Sequence, residues 1–129
     1  SQSNAVVNIN AGGVHLPPVT VLANQAVPVY INPNTYTNTY ISGSDVIYQN
    51  RGIHVTSDVP IVLYSHISRN ARSAATLVLP TKALGNEYVA MAYEQVASSR
   101  TELKVSQFTL VGVEDSTQIE ITPVDTILN

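Results

Sequence analysis

Cysteine and tryptophan are absent from the 129 residues, and methionine and phenylalanine occur once each. The first absence excludes disulfide staples, thiolate metal sites and a cysteine nucleophile, although it assigns no compartment, because large surface proteins also do without cysteine. Charge is scarce as well. Six Lys and Arg against nine Asp and Glu leave a net charge of −3, so there is no cationic field to grip a phosphate backbone or an anionic bilayer. Nucleic acid is not an expected partner. No apolar run approaches the length of a membrane-spanning helix, and the opening SQSNA has neither the basic nor the apolar region of a signal peptide. Membrane insertion is not expected either.

What the chain does have is Val, Ile, Thr and Tyr in short runs, separated by Pro, Gly, Asn, Asp and Ser at the spacing of sandwiches and barrels. The expected fold is all-β, an antiparallel β-sandwich of eight to ten strands, with a closed barrel as the alternative. Strands are predicted at 5–9, 18–22, 26–31, 45–49, 52–57, 60–67, 75–80, 87–93, 106–114 and 117–122. Only 81–86 and 96–103 have the composition of a helical turn. The core is expected from Ile53, Val55, Ile61, Leu63, Leu77, Leu79, Leu84, Val89, Met91, Phe108, Leu110, Val111, Ile119 and Ile121. The polar lead-in at 1–4 reads as an added, non-native segment. Residues 5–129 read as a single domain, a fragment of a larger multidomain protein.

One stretch combines an apolar run, a cation, a glycine and a carboxylate: TLVLPTKALGNEY, residues 76–88. An anion cradle would need several glycines or a strand-to-helix nest, and a single Gly85 after Lys82 supplies neither. The segment reads as a corner, in which Pro80 ends a ladder, TKAL turns once and sets Leu84 on the core, Gly85 takes a left-handed conformation and Tyr88 re-enters the sheet. A second corner, Glu114–Asp115–Ser116, is predicted to join two strands as a hairpin.

The segments GIHVTSDVPIVLYSHI (52–67), TLVLPTKALGNEYVAMAY (76–93) and QFTLVGVEDSTQIEIT (107–122), with a fainter echo in VTVLANQAVPVYI (19–31), resemble the IgGFc-binding protein N-terminal domain family. That resemblance implies an extracellular β-rich module, often one of several in a large secreted or cell-surface protein, including multidomain bacterial ones. It brings no catalytic or binding motif, so no residue inherits a role, and the antibody-binding property of the mammalian mucus protein is not carried over.

No catalytic constellation emerges from the residues. Ser65 and His66 are adjacent and would point to opposite faces of a strand, SGSD (42–45) lacks the second glycine of a nucleophile elbow, and spacing selects no carboxylate pair from the nine available. Histidines 15, 54 and 66 are scattered, although His54 and His66 could meet across neighbouring strands. VTSDV (55–59) and VEDST (113–117) offer hard oxygen ligands in turns without matching a calcium loop, and backbone capping is their expected use. No metal or cofactor is assigned.

The segment that speaks of contact is YINPNTYTNTYISGSDVIYQN, residues 30–50, with four of the seven tyrosines among Asn, Thr, Ser and Gly. Stiff amphipathic rings beside adaptable hydrogen-bonding groups are the composition of binding loops. Tyr36, Tyr40, Tyr48 and Asn38 are therefore the candidate ligand-binding residues. Arg69 and Arg72, in a polar link between two strands, are candidates for holding an anion. The expected function is a non-catalytic extracellular module, adhesive or spacer, that meets neighbouring domains of its own chain and a glycan or protein ligand. The competing expectations are a calcium-assisted glycan-binding module and part of a carbohydrate-active enzyme completed by further sequence.

Overall fold

The computed structural model describes residues 1–41, 47–69, 72–91 and 108–123, with the side chains of Arg69 and Arg72 excepted. Among these residues the regular structure is six strands and two single 3₁₀ turns. The strands are β1 (Ala5–Ala11), β2 (Val14–His15), β3 (Val19–Val21), β4 (Ile53–Ser57), β5 (Leu63–Arg69) and β6 (Arg72–Val78). All pairings are antiparallel, and neither sheet closes on itself among the described residues. The all-β expectation holds. The barrel alternative does not apply to what is described.

β1 is the organising strand. Its sequence AVVNINA alternates, so Ala5, Val7, Ile9 and Ala11 face inward and are buried, while Val6, Asn8 and Asn10 face outward. Val7 is 5% exposed and Ile9 7%, and burying each such side chain stabilises by roughly 1.5–3 kcal/mol. Leu16, Val19, Val21, Ile31, Val55, Val59 and Ile61 pack against this row. Among the described residues the core therefore sits on β1, which the expected core omitted. Of the expected core residues, Val55 and Ile61 join it, whereas Val89 is 89% exposed and Met91 92%.

One edge of β1 carries β4, in register from Val7↔Ser57 to Ala11↔Ile53. The other edge carries β2 and β3, which are a single stretch of chain with a defect. Asn10 pairs with His15 and Ala11 with Val14, but Val7 pairs with Val19 and Ala5 with Val21. Between those two registers, three residues (Leu16, Pro17, Pro18) oppose two (Asn8, Ile9), so the edge contains a one-residue bulge. Its location follows from the two prolines, which have no N–H to give to a ladder. Its effect is on facing. Leu16 and Val19 are three apart and would lie on opposite faces of a straight strand, yet both pack on the β1 core, because the extra residue resets the alternation.

The β1–β2 connection is the two-residue turn Gly12–Gly13, with φ of +61° and +86°. Those are the dihedrals of a primed hairpin turn, whose twist matches the flanking strands, and glycine adopts them without strain. β5 and β6 form a second, two-stranded sheet, paired from Leu63↔Val78 through Arg69↔Arg72. Arg69 and Arg72 thus belong to the strands themselves and not to a link between them. The register also sets Ser65 opposite Thr76 and His66 opposite Ala75, so that Ser65 and His66 do lie on opposite faces.

Internal contacts divide the chain into two units, Ser1–Val78 with Thr122–Asn129, and Leu79–Ile121. The corner at 76–88 is a turn as expected: Pro80 precedes a 3₁₀ turn at Thr81–Ala83, with Ala83 N–H donating to the Pro80 carbonyl at 2.9 Å. Three details differ. Leu84 is 42% exposed, Gly85 is not among the positive-φ glycines, and Tyr88 enters no ladder. The turn leaves through Leu84 in an extended conformation, φ −76° and ψ 140°, so no left-handed residue is needed to end it. At 114–116 the predicted reversal is present, with Ser116 at φ +62° and the Thr117 hydroxyl donating to the Glu114 carbonyl at 2.6 Å.

The described residues of 26–31, 45–49, 87–93, 106–114 and 117–122 form no ladder, which is where the expected strand number falls short. They have strand composition, but composition only says that a segment fits a pleated surface, and a ladder also needs a partner edge. Pro28 and Pro33 further remove donors from the 26–33 stretch. The helical-turn expectation at 96–103 lies outside the described residues.

Candidate functional site

The tyrosine-rich segment is built by its own short polar side chains. The Asn32 Oδ1 accepts from the Asn34 N–H at 2.9 Å, and the Asn32 carbonyl accepts from the N–H groups of Thr35 and Tyr36 at 3.0 and 2.8 Å. A 3₁₀ turn, Thr37–Thr39, follows, locked by the Thr39 hydroxyl and N–H, which both donate to the Tyr36 carbonyl at 2.7 and 2.9 Å. Asn and Thr are suited to this work because their side chains substitute for backbone partners in turns.

Two anchors tie that turn to the main sheet. Asn38 Nδ2 donates to the Gly12 carbonyl at 3.4 Å, which sets the loop against the β1–β2 hairpin. Arg51 Nη1 donates to the Tyr40 carbonyl at 2.8 Å, and the same guanidinium lies 4.2 Å from the centroid of the Tyr48 ring. Arg51 is itself held in place, since it precedes Gly52, whose carbonyl accepts from the Gly12 N–H at 3.1 Å as β4 joins β1. The hydrogen bond fixes the Tyr40 backbone, and the cation over the Tyr48 ring fixes a second tyrosine beside it.

The four candidate ligand-binding residues therefore fall into different positions. Tyr40 is 52% exposed, Tyr36 and Tyr48 are half-buried, and Asn38 faces the hairpin as an anchor. Arg51 and Gly12 are the residues that sequence reasoning missed. The signal for Gly12 was available, because Gly-Gly between two β-rich runs is a hairpin turn. For Arg51 there was none, since its partners are set by the fold. The segment 42–46, which contains SGSD (42–45), lies outside the described residues.

The other candidate chemistry is used structurally where it is described. Asp58 Oδ1 accepts from the Val6 N–H at 2.8 Å and the Asp58 N–H donates to the Val6 carbonyl at 3.3 Å, which extends the β1–β4 edge by one carboxylate bridge. That is the capping use expected for VTSDV. Glu114 and Thr117 likewise close their own turn. His54 and His66 do not meet as neighbours in a sheet, because β4 pairs with β1 and β5 pairs with β6. No group of three or more His, Asp or Glu gathers among the described residues, and no helix among them is long and apolar enough to cross a membrane.

The comparison with known families now adds to the geometry. Residues 74–129 match the IgGFc binding protein family. The match covers less than half of the chain and includes two of the three segments on which the resemblance rested, TLVLPTKALGNEYVAMAY and QFTLVGVEDSTQIEIT. GIHVTSDVPIVLYSHI precedes the stretch matched to the IgGFc binding protein family, as does the tyrosine loop. No curated protein and no solved structure matches the chain.

Proposed function

We propose that the chain is a non-catalytic extracellular module of a surface or secreted protein, with an adhesive or spacer role, whose contact surface is the tyrosine loop at 30–50. The observation that carries this reading is the double anchoring of the loop: Asn38 on Gly12, and Arg51 on the Tyr40 carbonyl and the Tyr48 ring. A loop held this way presents the Tyr36–Tyr40 backbone with little conformational freedom left to lose on binding, which is part of how rigid paratopes gain affinity. The family match supports the class of activity, since IgGFc binding protein names a binding function and no catalytic one. That the family is an extracellular one supports the same setting for this chain.

The ligand proposed is a glycan face or a protein surface, because exposed tyrosines stack on either and the net charge of −3 favours no polyanion. Arg69 and Arg72 remain a proposed anion-binding pair at the end of the β5–β6 hairpin, where the register sets them opposite each other. The eight- to ten-stranded sandwich is kept as the proposed architecture of the whole domain.

The test compares the protein with its Tyr36→Ala/Tyr40→Ala variant on a glycan array and in cell adhesion. Loss of the parent's signals with folding intact is the expected result. Unchanged signals would mean that the loop only covers the sheet.

A further inference from the structure

Three polar residues form a row across the solvated face of the main sheet. Asn10 on β1 is paired with His15 on one side and with His54 on the other. Directly paired residues project from the same face, and Asn10 lies on the outward parity of β1, so both imidazoles stand on the open side with the amide between them. Both histidines are exposed. Pairing in sequence would have joined His54 to His66; it is the β1 register that joins it to His15.

We propose that His15 and His54 form a surface site for a divalent first-row transition-metal cation, Cu²⁺ before Zn²⁺. Paired Cβ atoms lie about 4.5–5.5 Å apart, which sets the two histidine Cβ atoms about 9–11 Å from each other. Two rings leaning over Asn10 then approach the roughly 3–4 Å nitrogen separation that two metal–imidazole bonds of about 2.0–2.1 Å span. The Asn10–His15 pair is the closer kind, because the ladder hydrogen bond of that edge runs from the Leu16 N–H to the Ile9 carbonyl, one pair away.

The central amide is oriented as well. Asn10 Oδ1 accepts from the Gly13 N–H at 2.9 Å, which assigns the oxygen to the hairpin and turns Nδ2 toward His15 Nε2 at 3.5 Å. An amide N–H can donate to that nitrogen only in the tautomer whose Nε2 carries no proton, which is also the form that binds a metal. At 3.5 Å the contact is at the limit of a hydrogen bond, so a cation displaces it with little loss. The donor set decides the cation: two imidazoles without a carboxylate suit Cu²⁺, Ni²⁺ and Zn²⁺ and not Ca²⁺ or Mg²⁺, and the Irving–Williams order places Cu²⁺ first. Water completes the coordination.

The experiment is calorimetric titration of Cu²⁺ and of Zn²⁺ into the untagged protein and its His15→Ala, His54→Ala and His66→Ala variants, with circular dichroism confirming the fold of each. One ion per chain is expected, bound at least tenfold more weakly by His15→Ala and by His54→Ala, and unchanged in His66→Ala. Electron paramagnetic resonance of the Cu²⁺ form should show two imidazole nitrogens, reduced to one in either single variant. Undiminished affinity in His15→Ala or His54→Ala, or an equal loss in His66→Ala, overturns the site.

Discussion

Gly12 and Asn38 touch so closely that a Cβ built on the glycine would lie 2.8 Å from the Asn38 Cβ and 2.9 Å from its carbonyl carbon. Its neighbour Gly13 also has a positive φ, +86°, but a Cβ there would meet nothing within 4 Å. The two glycines of one turn thus separate two effects. Gly13→Ala should lose about 1–2 kcal/mol, the cost of a left-handed conformation for an L-residue. Gly12→Ala should lose that and about 1–3 kcal/mol more, the cost of overpacking against the loop. Urea denaturation of both variants reads the difference, and equal losses would mean that the loop gives way freely at Asn38.

Asp58 acts as the last rung of the β1–β4 edge, with its carboxylate on the Val6 N–H at 2.8 Å. Asp58→Ala should destabilise by about 1–2 kcal/mol, the range for losing a side chain that caps a backbone N–H. Asp58→Asn keeps a carbonyl acceptor and should lose less than half of that. If calcium raised the melting temperature of the parent but not of Asp58→Asn, the carboxylate would have a metal role beyond the capping bond seen here.

Arg51 contacts two tyrosines, the main chain of Tyr40 and the ring of Tyr48. Arg51→Ala removes both the bond to the Tyr40 carbonyl and the cation over Tyr48, and should lower stability by about 1 kcal/mol, as expected for a partly exposed cation–π contact with one hydrogen bond. Arg51→Lys keeps the charge but not the planar fork and should fall between the two. Binding offers a sharper reading than stability. If the loop is the contact surface, Arg51→Ala weakens any adhesion ligand severalfold without touching it, and a ligand bound with unchanged affinity argues that Tyr36 and Tyr40 are not its partners.

How much of this was legible in the sequence differs from element to element. The alternation AVVNINA and the run GIHVTS mark β1 and β4, because a half-buried strand writes its period of two directly into its residues. β5 and β6 were legible to within a few residues from their β-prone composition, and not from a buried face, since residues 73–78 are all exposed. What no local pattern encodes is which strands meet. The pairing of Asn10 with His54 joins residues far apart in the chain, so the row with His15 was invisible and the histidines read as scattered. Segments such as 117–122 show the converse, since Ile119 and Ile121 alternate as a strand should but have no ladder to enter. The tyrosine loop was legible as a composition, whereas its anchors, Gly12 and Arg51, came only with the fold.

Ser57 offers a test of where the core lies. It pairs with the buried Val7, so its side chain projects inward, and its Oγ is buried without a hydrogen-bond partner among the described residues. A hydroxyl taken out of water with nothing to bond forfeits about 1–3 kcal/mol, and removing it relieves that penalty while leaving only a small gap. Ser57→Ala should therefore leave the protein as stable as before or raise its stability by about 1 kcal/mol, against the usual direction for an inward-facing substitution. Thr56→Ala, one residue away on the solvated face, should change stability by less than about 0.5 kcal/mol. Denaturation midpoints of the two variants check this, and a clear loss on Ser57→Ala would show that the hydroxyl has a partner and that the inward face of β4 is not the apolar wall its pairing with β1 implies.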